Sequence, residues 1–286
     1  MGMKIGIGLP NQVREMDPAI IPTWATRAEK AGFSSLGSIG HIAYPGLMDT
    51  VALAAAAGAT STIGLISHIM AAPMWPAVLL AKEVAGIDAV SGNRLTLGIS
   101  VGARSDDFLV DGLGPRGRGK RLDRDLEVYR SIWRGETVGG ASNPLVPAGT
   151  RSVPLMFGGG SPASFERMAR WGEGYIGPSA PVGMAAKMFD AAGSAWKKAG
   201  REGSPRLVAI AYYVFSDVAQ GRANVQHYYS ASGQRTIDIV DSGICAGPDA
   251  VRDAVKAYSE LGVDEIIFTP ALADTHEVGR LAEVVL

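Results

Sequence analysis

Eight short apolar runs, each followed by a stretch with helical spacing, constrain this chain more than any other feature. The runs cover residues 4–9, 35–39, 62–70, 94–101, 153–157, 175–177, 206–215 and 265–269. A strand, then a helix, then another strand pairs in parallel, because the helix carries the chain back along the sheet. Eight such units predict an α/β fold of the (β/α)8 TIM-barrel type, a closed ring of parallel strands whose sixth member is the shortest. Helices are expected over 17–31, 47–58, 77–90 and 120–134, from Pro162 onward, and over 183–200, 219–241, 248–261 and 274–285. The 219–241 segment carries a polar break at 230–234. Residues 136–151 show no period and read as a surface excursion. No linker divides the chain, so residues 1–286 are expected to form one barrel domain.

In a barrel of this kind the chemistry gathers at the C-terminal ends of the strands. That rule collects Asn11, His41, His68, the Gly102–Ala103–Arg104 loop, Gly158 to Ser161, Tyr212 to Phe215 and Thr269 around one mouth. The stretch VPLMFGGGSP, residues 153–162, reads as strand, tight turn and helix start. Glycines let a backbone approach a ligand closely, Ser161 can cap the helix, and Pro162 suits its first position. The free N–H groups at such a helix start make an anion site. The same residues would equally make an ordinary strand–helix corner with no ligand.

His41 and His68 are the candidate catalytic residues, since imidazole titrates near neutral pH. Each could instead be a histidine bonded to its surroundings. Arg104 could offer a planar fork to a phosphate, or pair with Asp106 or Asp107. Trp24, Trp133, Trp171 and Trp196 lie on helical patterns and are expected to pack between helix and barrel, whereas Trp75 could line the pocket. A formal net charge of −1 removes the electrostatic case for nucleic acid or an anionic membrane. The apolar stretch 51–59 is too short to span a bilayer, and no signal pattern opens the chain. The single cysteine, Cys245, excludes an internal disulfide framework and a Cys-rich metal site. No metal site is expected, and the protein is expected to be soluble and cytoplasmic.

Several segments in order resemble the luciferase-like flavin-dependent monooxygenases and their deazaflavin-using relatives. They are AEKAGFSSL with GHIAYP, AVLLAKEVAGIDAVSGNRLTLGISVGARSDDF, GRGKRLDRDLEVYRSIW, PLMFGGGSPASFERMARWGEGYI and GPDAVRDAVKAYSELGVDEIIF. The resemblance implies a barrel with a flavin or deazaflavin at its C-terminal mouth. It implies that Gly158, Gly159, Gly160 and Ser161 hold the cofactor phosphate, and that Gly102, Ala103 and Arg104 run along its tail. His68 and Ile69 match the pair at the end of the third strand, where relatives often hold a non-proline cis peptide against the ring. His41 matches a histidine common in the second-strand loop. Relatives often carry Asp before it, where Gly40 stands here. The deazaflavin-dependent sugar-phosphate dehydrogenases carry Glu where Ala103 stands and Trp where Tyr44 is nearest. These departures favour reduced flavin mononucleotide (FMN) and oxygen over a deazaflavin coenzyme, which remains the alternative. They imply a monooxygenase acting on a small organic substrate, with an apolar or aromatic one preferred. A separate flavin reductase and a homodimer are the partners that the resemblance allows. A flavin-binding protein with little catalysis is the third reading.

Overall fold

The computed structural model describes residues 2–110 and 112–286. Among the described residues ten strands form: β1 Lys4–Gly8, β2 Ser35–Ser38, β3 Gly64–Ser67, β4 Met70–Ala71, β5 Leu95–Ser100, β6 Leu155–Phe157, β7 Gly174–Ile176, β8 Arg206–Val214, β9 Cys245–Ala246 and β10 Glu265–Pro270. The ring runs β1, β2, β3, β5, β6, β7, β8, β10 and closes back on β1, with every pairing parallel. This is the eight-stranded barrel expected from the alternation. The sixth ring strand, β7, has three residues and shares that length with β6.

The helices are α1 Ile21–Ala31, α2 Asp49–Ala59, α3 Ala77–Val90, α4 Asp106–Leu109, α5 Arg118–Trp133, α6 Pro162–Trp171, α7 Val182–Lys198, α8 Val218–Tyr228, α9 Gln234–Asp241, α10 Pro248–Glu260 and α11 His276–Val285. The expected break in 219–241 is real: a 3-10 turn at Ser230–Ser232 and a left-handed Gly233 separate α8 from α9. The short helix α4 and the two-residue strand β9 were not legible in the sequence. Residues 136–151 form no regular element. Arg151 at the end of that excursion is tied down by Asp88, at 2.7 Å to each carboxylate oxygen.

The expected third strand, 62–70, is two pieces. β3 and β4 both pair with β5, but Ile66 to Met70 spans four steps where Thr96 to Ile99 spans three. One surplus residue makes a β-bulge, which re-aims side chains at the rim of a barrel. The Ser67 hydroxyl fills in for the interrupted ladder, donating to Gly98 O at 2.8 Å and accepting from Gly98 N at 3.0 Å. Only glycine fits at 98, because a Cβ there would lie 2.0 Å from Ser67 O.

The lumen is layered. At the bottom, Glu265 accepts from the hydroxyls of Ser34 and Ser35, at 2.6 Å each, and from Arg206 at 2.6 Å. Above it Ile66, Met156, Ile176, Val208, Ile210 and Ile267 fill the middle. His68, Thr269 and Tyr212 close the top. Outside the ring the four helical tryptophans are buried; Trp24 donates to Gly8 O of β1 and Trp133 to Ala81 O of α3. Among the described residues no helix is long and apolar enough to cross a membrane, and no three His, Cys, Asp or Glu side chains are grouped to hold a metal.

Candidate active site

The bulge builds the floor of the mouth. In an unbroken strand, successive side chains point to opposite faces. Here His68 and Ile69 both turn inward. The His68 ring lies over Gly37, where a Cβ would come within 2.1 Å of Nδ1. Ile69 lies over Gly158, where a Cβ would come within 2.0 Å of its Cδ1. The pair therefore spans from β2 to β6 across the mouth. The described chain has no cis peptide bond, so the junction between them is trans, unlike the one the resemblance suggested.

His68 is 1% exposed, its Nε2 meets the Thr269 hydroxyl at 3.1 Å, and its Nδ1 has no partner among the described residues. Burial pulls its imidazole down to about 3, so it is neutral at every physiological pH. A neutral histidine can position a ligand by hydrogen bonding, but it cannot serve as a cationic acid there.

His41, in the loop after β2, is less buried than His68 and has a carboxylate partner. Its Nδ1 meets Asp107 Oδ2 at 2.7 Å, and Asp107 Oδ1 accepts from Ala43 N at 2.9 Å. Burial works to raise the Asp107 carboxyl, but the hydrogen bonds from His41 and Ala43, with Arg104 nearby, hold it below the usual carboxylate range. An ionised Asp107 fixes the proton of His41 on Nδ1 and leaves Nε2 to exchange protons, the carboxylate–imidazole arrangement of general acid–base sites. Sequence spacing could not supply Asp107 as this partner, since the two residues lie 66 positions apart.

Arg104 is 6% exposed and its fork is engaged by Asp106, with Nε to Oδ1 at 3.0 Å, and by Ala43 O at 3.0 Å. Of the two alternatives open in the sequence, the local ion pair is the one formed. Gly102 takes a left-handed φ of 75° and packs against Phe108, while Ala103 is exposed at the rim. Trp75 is partly buried against Ala71, Met74 and Phe108 beside this loop.

The glycine turn has the expected local form. Ser161 is the N-cap of α6, accepting from Ser164 N, and Pro162 is its first residue. Gly159 has φ of 106°, and a Cβ there would meet Ser164 Oγ at 2.8 Å. Gly159, Gly160 and Ser161 are exposed, and among the described residues their N–H groups have no partner. Tyr175 steadies the turn by donating to Gly159 O at 3.1 Å.

Over the β1–β2 corner stands an aromatic roof. Tyr228 at the end of α8 lies 5.0 Å from the His41 ring and 4.9 Å from Tyr44, and Tyr229 adjoins it at 5.1 Å. Beneath it are buried polar atoms without partners among the described residues: Asn11 Oδ1, Gln12 Oε1, Ser38 Oγ, Asp49 Oδ1 and Tyr228 OH. Burying a polar atom unpaired costs about 1–3 kcal/mol each, so their gathering at one corner marks it as a place for a ligand or ordered water.

Comparison with known proteins places this geometry in a family. The family model described as luciferase-like monooxygenase matches residues 3–240. An uncharacterized protein of Mycobacterium tuberculosis is 29% identical over 175 residues, covering 51% of this chain and 61% of the relative. The match thus spans about three fifths of that relative's length. The oxygenase component of a flavin-dependent trigonelline monooxygenase from Acinetobacter baylyi is 32% identical over 82 residues, 28% of this chain and 23% of that protein. Among solved structures, an F420-dependent secondary alcohol dehydrogenase in complex with an F420-acetone adduct superposes with a TM-score of 0.79 at 16% identity, covering 100% of this chain and 98% of that one. The chain belongs to the luciferase-like monooxygenase family.

Proposed function

We propose that this family member is a flavin-dependent oxidoreductase: a monooxygenase that takes reduced FMN and oxidises a small organic substrate. The observation that carries this reading is the row of N–H groups at Gly159, Gly160 and Ser161 that have no partner among the described residues, joined by the His68–Ile69 floor to the His41–Asp107 pair. A phosphate monoester fits that row, because the N–H groups and the positive end of α6 both favour an anion. Ile69 and the neutral His68 suit a flat, partly polar ring. Arg104, spent on Asp106 and Ala43, holds the loop that Gly102 and Ala103 present to the cofactor rather than gripping a phosphate itself. Bound reduced flavin supplies the electrons for oxygen activation. The chain's own residues anchor, orient and keep the mouth dry. Tyr228 and Tyr44 roof the substrate corner, and His41 moves a proton at Nε2.

The substrate side mixes tyrosine rings with acceptors such as Asn11 Oδ1 and Gln12 Oε1. An aromatic substrate bearing a hydrogen-bond donor fits it better than a wholly apolar one. The likeness to an oxygenase component supports a separate reductase as supplier of reduced flavin. The lone, buried Cys245 suits a reducing compartment such as the cytoplasm.

A second reading, hydride transfer with a deazaflavin, is favoured by one observation. The His41–Asp107 pair is an acid–base set of the kind a carbonyl–alcohol interconversion needs. Against it stand Ala103 and Tyr44, where the dehydrogenases that the chain resembles carry Glu and Trp. Parallel anaerobic calorimetry with reduced FMN and reduced deazaflavin decides between them. Tighter FMN binding is expected. Binding of the deazaflavin alone overturns the choice of cofactor, and binding of neither overturns the enzyme reading.

A further inference from the structure

A run of one charge sign stands at the mouth. Over the whole chain basic and acidic residues nearly cancel, at 27 and 28. Residues 114–121, GPRGRGKR, nonetheless hold Arg116, Arg118, Lys120 and Arg121 and no acid. The run ends the loop after β5 and opens α5. Arg121 is occupied, donating to Pro73 O at 3.2 Å. Arg116 and Lys120 are exposed and Arg118 is half-buried. Among the described residues none of these three has a carboxylate partner, and nearby acids are committed elsewhere: Asp106 to Arg104, Asp107 to His41 and Asp123 to Arg167.

Two sets of contacts hold this run between the parts of the mouth assigned to the cofactor. The Arg118 guanidinium lies 5.8 Å from the centre of the Phe108 ring. The same ring would stand 3.2 Å from a Cβ at Gly102, so a single side chain separates Arg118 from the Gly102–Ala103 loop. On the other side Gly119 lies against Arg167 of α6, where a Cβ would stand 2.9 Å from Nη2. Arg167 donates to Ala163 O at 3.4 Å, in the first turn of α6, and to the Asp123 carboxylate of α5 at 2.6 Å and 3.1 Å. The start of α5 is thereby pinned beside the glycine turn. That turn offers N–H groups but no cation, and Arg104 is spent on Asp106 and Ala43.

We propose that Arg116, Arg118 and Lys120 form a capture rim that draws the anionic tail of the cofactor to the glycine turn. A phosphate monoester carries a charge of about −1.5 to −2 at neutral pH. A surface of opposite sign beside its site raises its local concentration and speeds its arrival. With a net charge of −1 the chain as a whole exerts little pull on such an anion, so the local run governs the encounter. The rim acts on arrival rather than on grip, because exposed charges are weakened by water and salt, whereas the seated phosphate is held by N–H groups. The inference rests on the proposed reading in which the phosphate of reduced FMN stands at Gly159, Gly160 and Ser161.

The test is anaerobic stopped-flow binding of reduced FMN to the full-length protein, followed by quenching of tryptophan fluorescence. Arg118→Gln combined with Lys120→Gln is expected to lower the association rate about fivefold at about 10 mM salt and about twofold at about 150 mM, with the dissociation rate unchanged. Reduced riboflavin, which lacks the phosphate, should associate equally with both proteins. Arg118→Lys keeps the charge and should associate as the wild type does. Lys197→Gln combined with Lys198→Gln, at the far end of α7, removes as much charge and should change nothing. Lys120→Gln alone, at an exposed position, should lower the rate about twofold at low salt and replaces the double variant if that one folds poorly. An unchanged association rate overturns the proposal, as does an equal fall in the α7 variant or an effect confined to dissociation. Reduced FMN that binds the wild type at a rate indifferent to the rim overturns this inference alone; reduced FMN that does not bind at all overturns the cofactor reading and the inference with it.

Discussion

Replacing Asp49 by Asn should stabilise the protein, and by an amount that depends on pH. Burial lifts the Asp49 carboxyl from the ordinary 3.8 to about 6. A group whose proton affinity rises on folding contributes stability that is complete below its unfolded value and is lost as pH rises through its folded value. Asp49 therefore favours the fold near pH 4, loses that contribution between about 4 and 6, and above pH 7 remains a buried charge. At about 1.4 kcal/mol per pH unit the rise corresponds to about 3 kcal/mol. Asn keeps the shape of the neutral carboxyl and cannot ionise, so the variant should match the wild type near pH 4 and exceed it by about 3 kcal/mol at pH 8. For a chain of 286 residues the unfolding entropy is about 0.6 kcal/mol/K, which turns that difference into about 5 °C of Tm. Scanning calorimetry of both proteins from pH 4 to 8 measures it. A Tm difference that stays flat with pH, or a variant less stable at pH 8, would refute the buried-carboxylate reasoning.

Two further outcomes are expected. Gly37→Ala inserts a methyl 2.1 Å from His68 Nδ1, so it should lower stability by about 1–3 kcal/mol in chemical denaturation through overpacking of the mouth floor. An unchanged midpoint would mean that His68 does not occupy that space. Ser161→Asp keeps a good N-cap residue on α6 but sets a negative charge beside the glycine turn, so FMN affinity should fall at least about tenfold by calorimetry with little loss of helix stability. Unchanged affinity would place the phosphate elsewhere.

The barrel was legible because strand and helix periods alternate plainly, and because Gly, Ser and Pro at 159–162 carry helix-start chemistry that depends on neighbours in sequence. The bulge was not legible. Residues 62–70, TIGLISHIM, read as one strand, and only the register against β5 reveals a surplus residue. Arg104 was readable as two alternatives, and the carboxylate two positions away won because proximity in the chain makes that pair easy to form. Asp107 and Asp49 were invisible as site residues. Each lies at a helix start, where acids are common on electrostatic grounds alone. Their value comes from which loops the ring brings together, which no local pattern encodes. The preference for an apolar or aromatic substrate came from finding no charged cluster in the sequence; the Asn11, Gln12 and Ser38 atoms without partners among the described residues lie near Tyr228, where only the fold gathers them.

The surplus residue between β3 and β5 also bears on how such a site is inherited. Point substitutions can change the chemistry of His68 or Ile69, but none can turn one of them away from the mouth, because the count of residues in the strand decides where both point. Removing one residue would restore strict alternation and hide one of the pair at a stroke. Descendants of this chain can therefore drift freely in what the floor is made of, while its two-residue width passes on intact until a codon is lost.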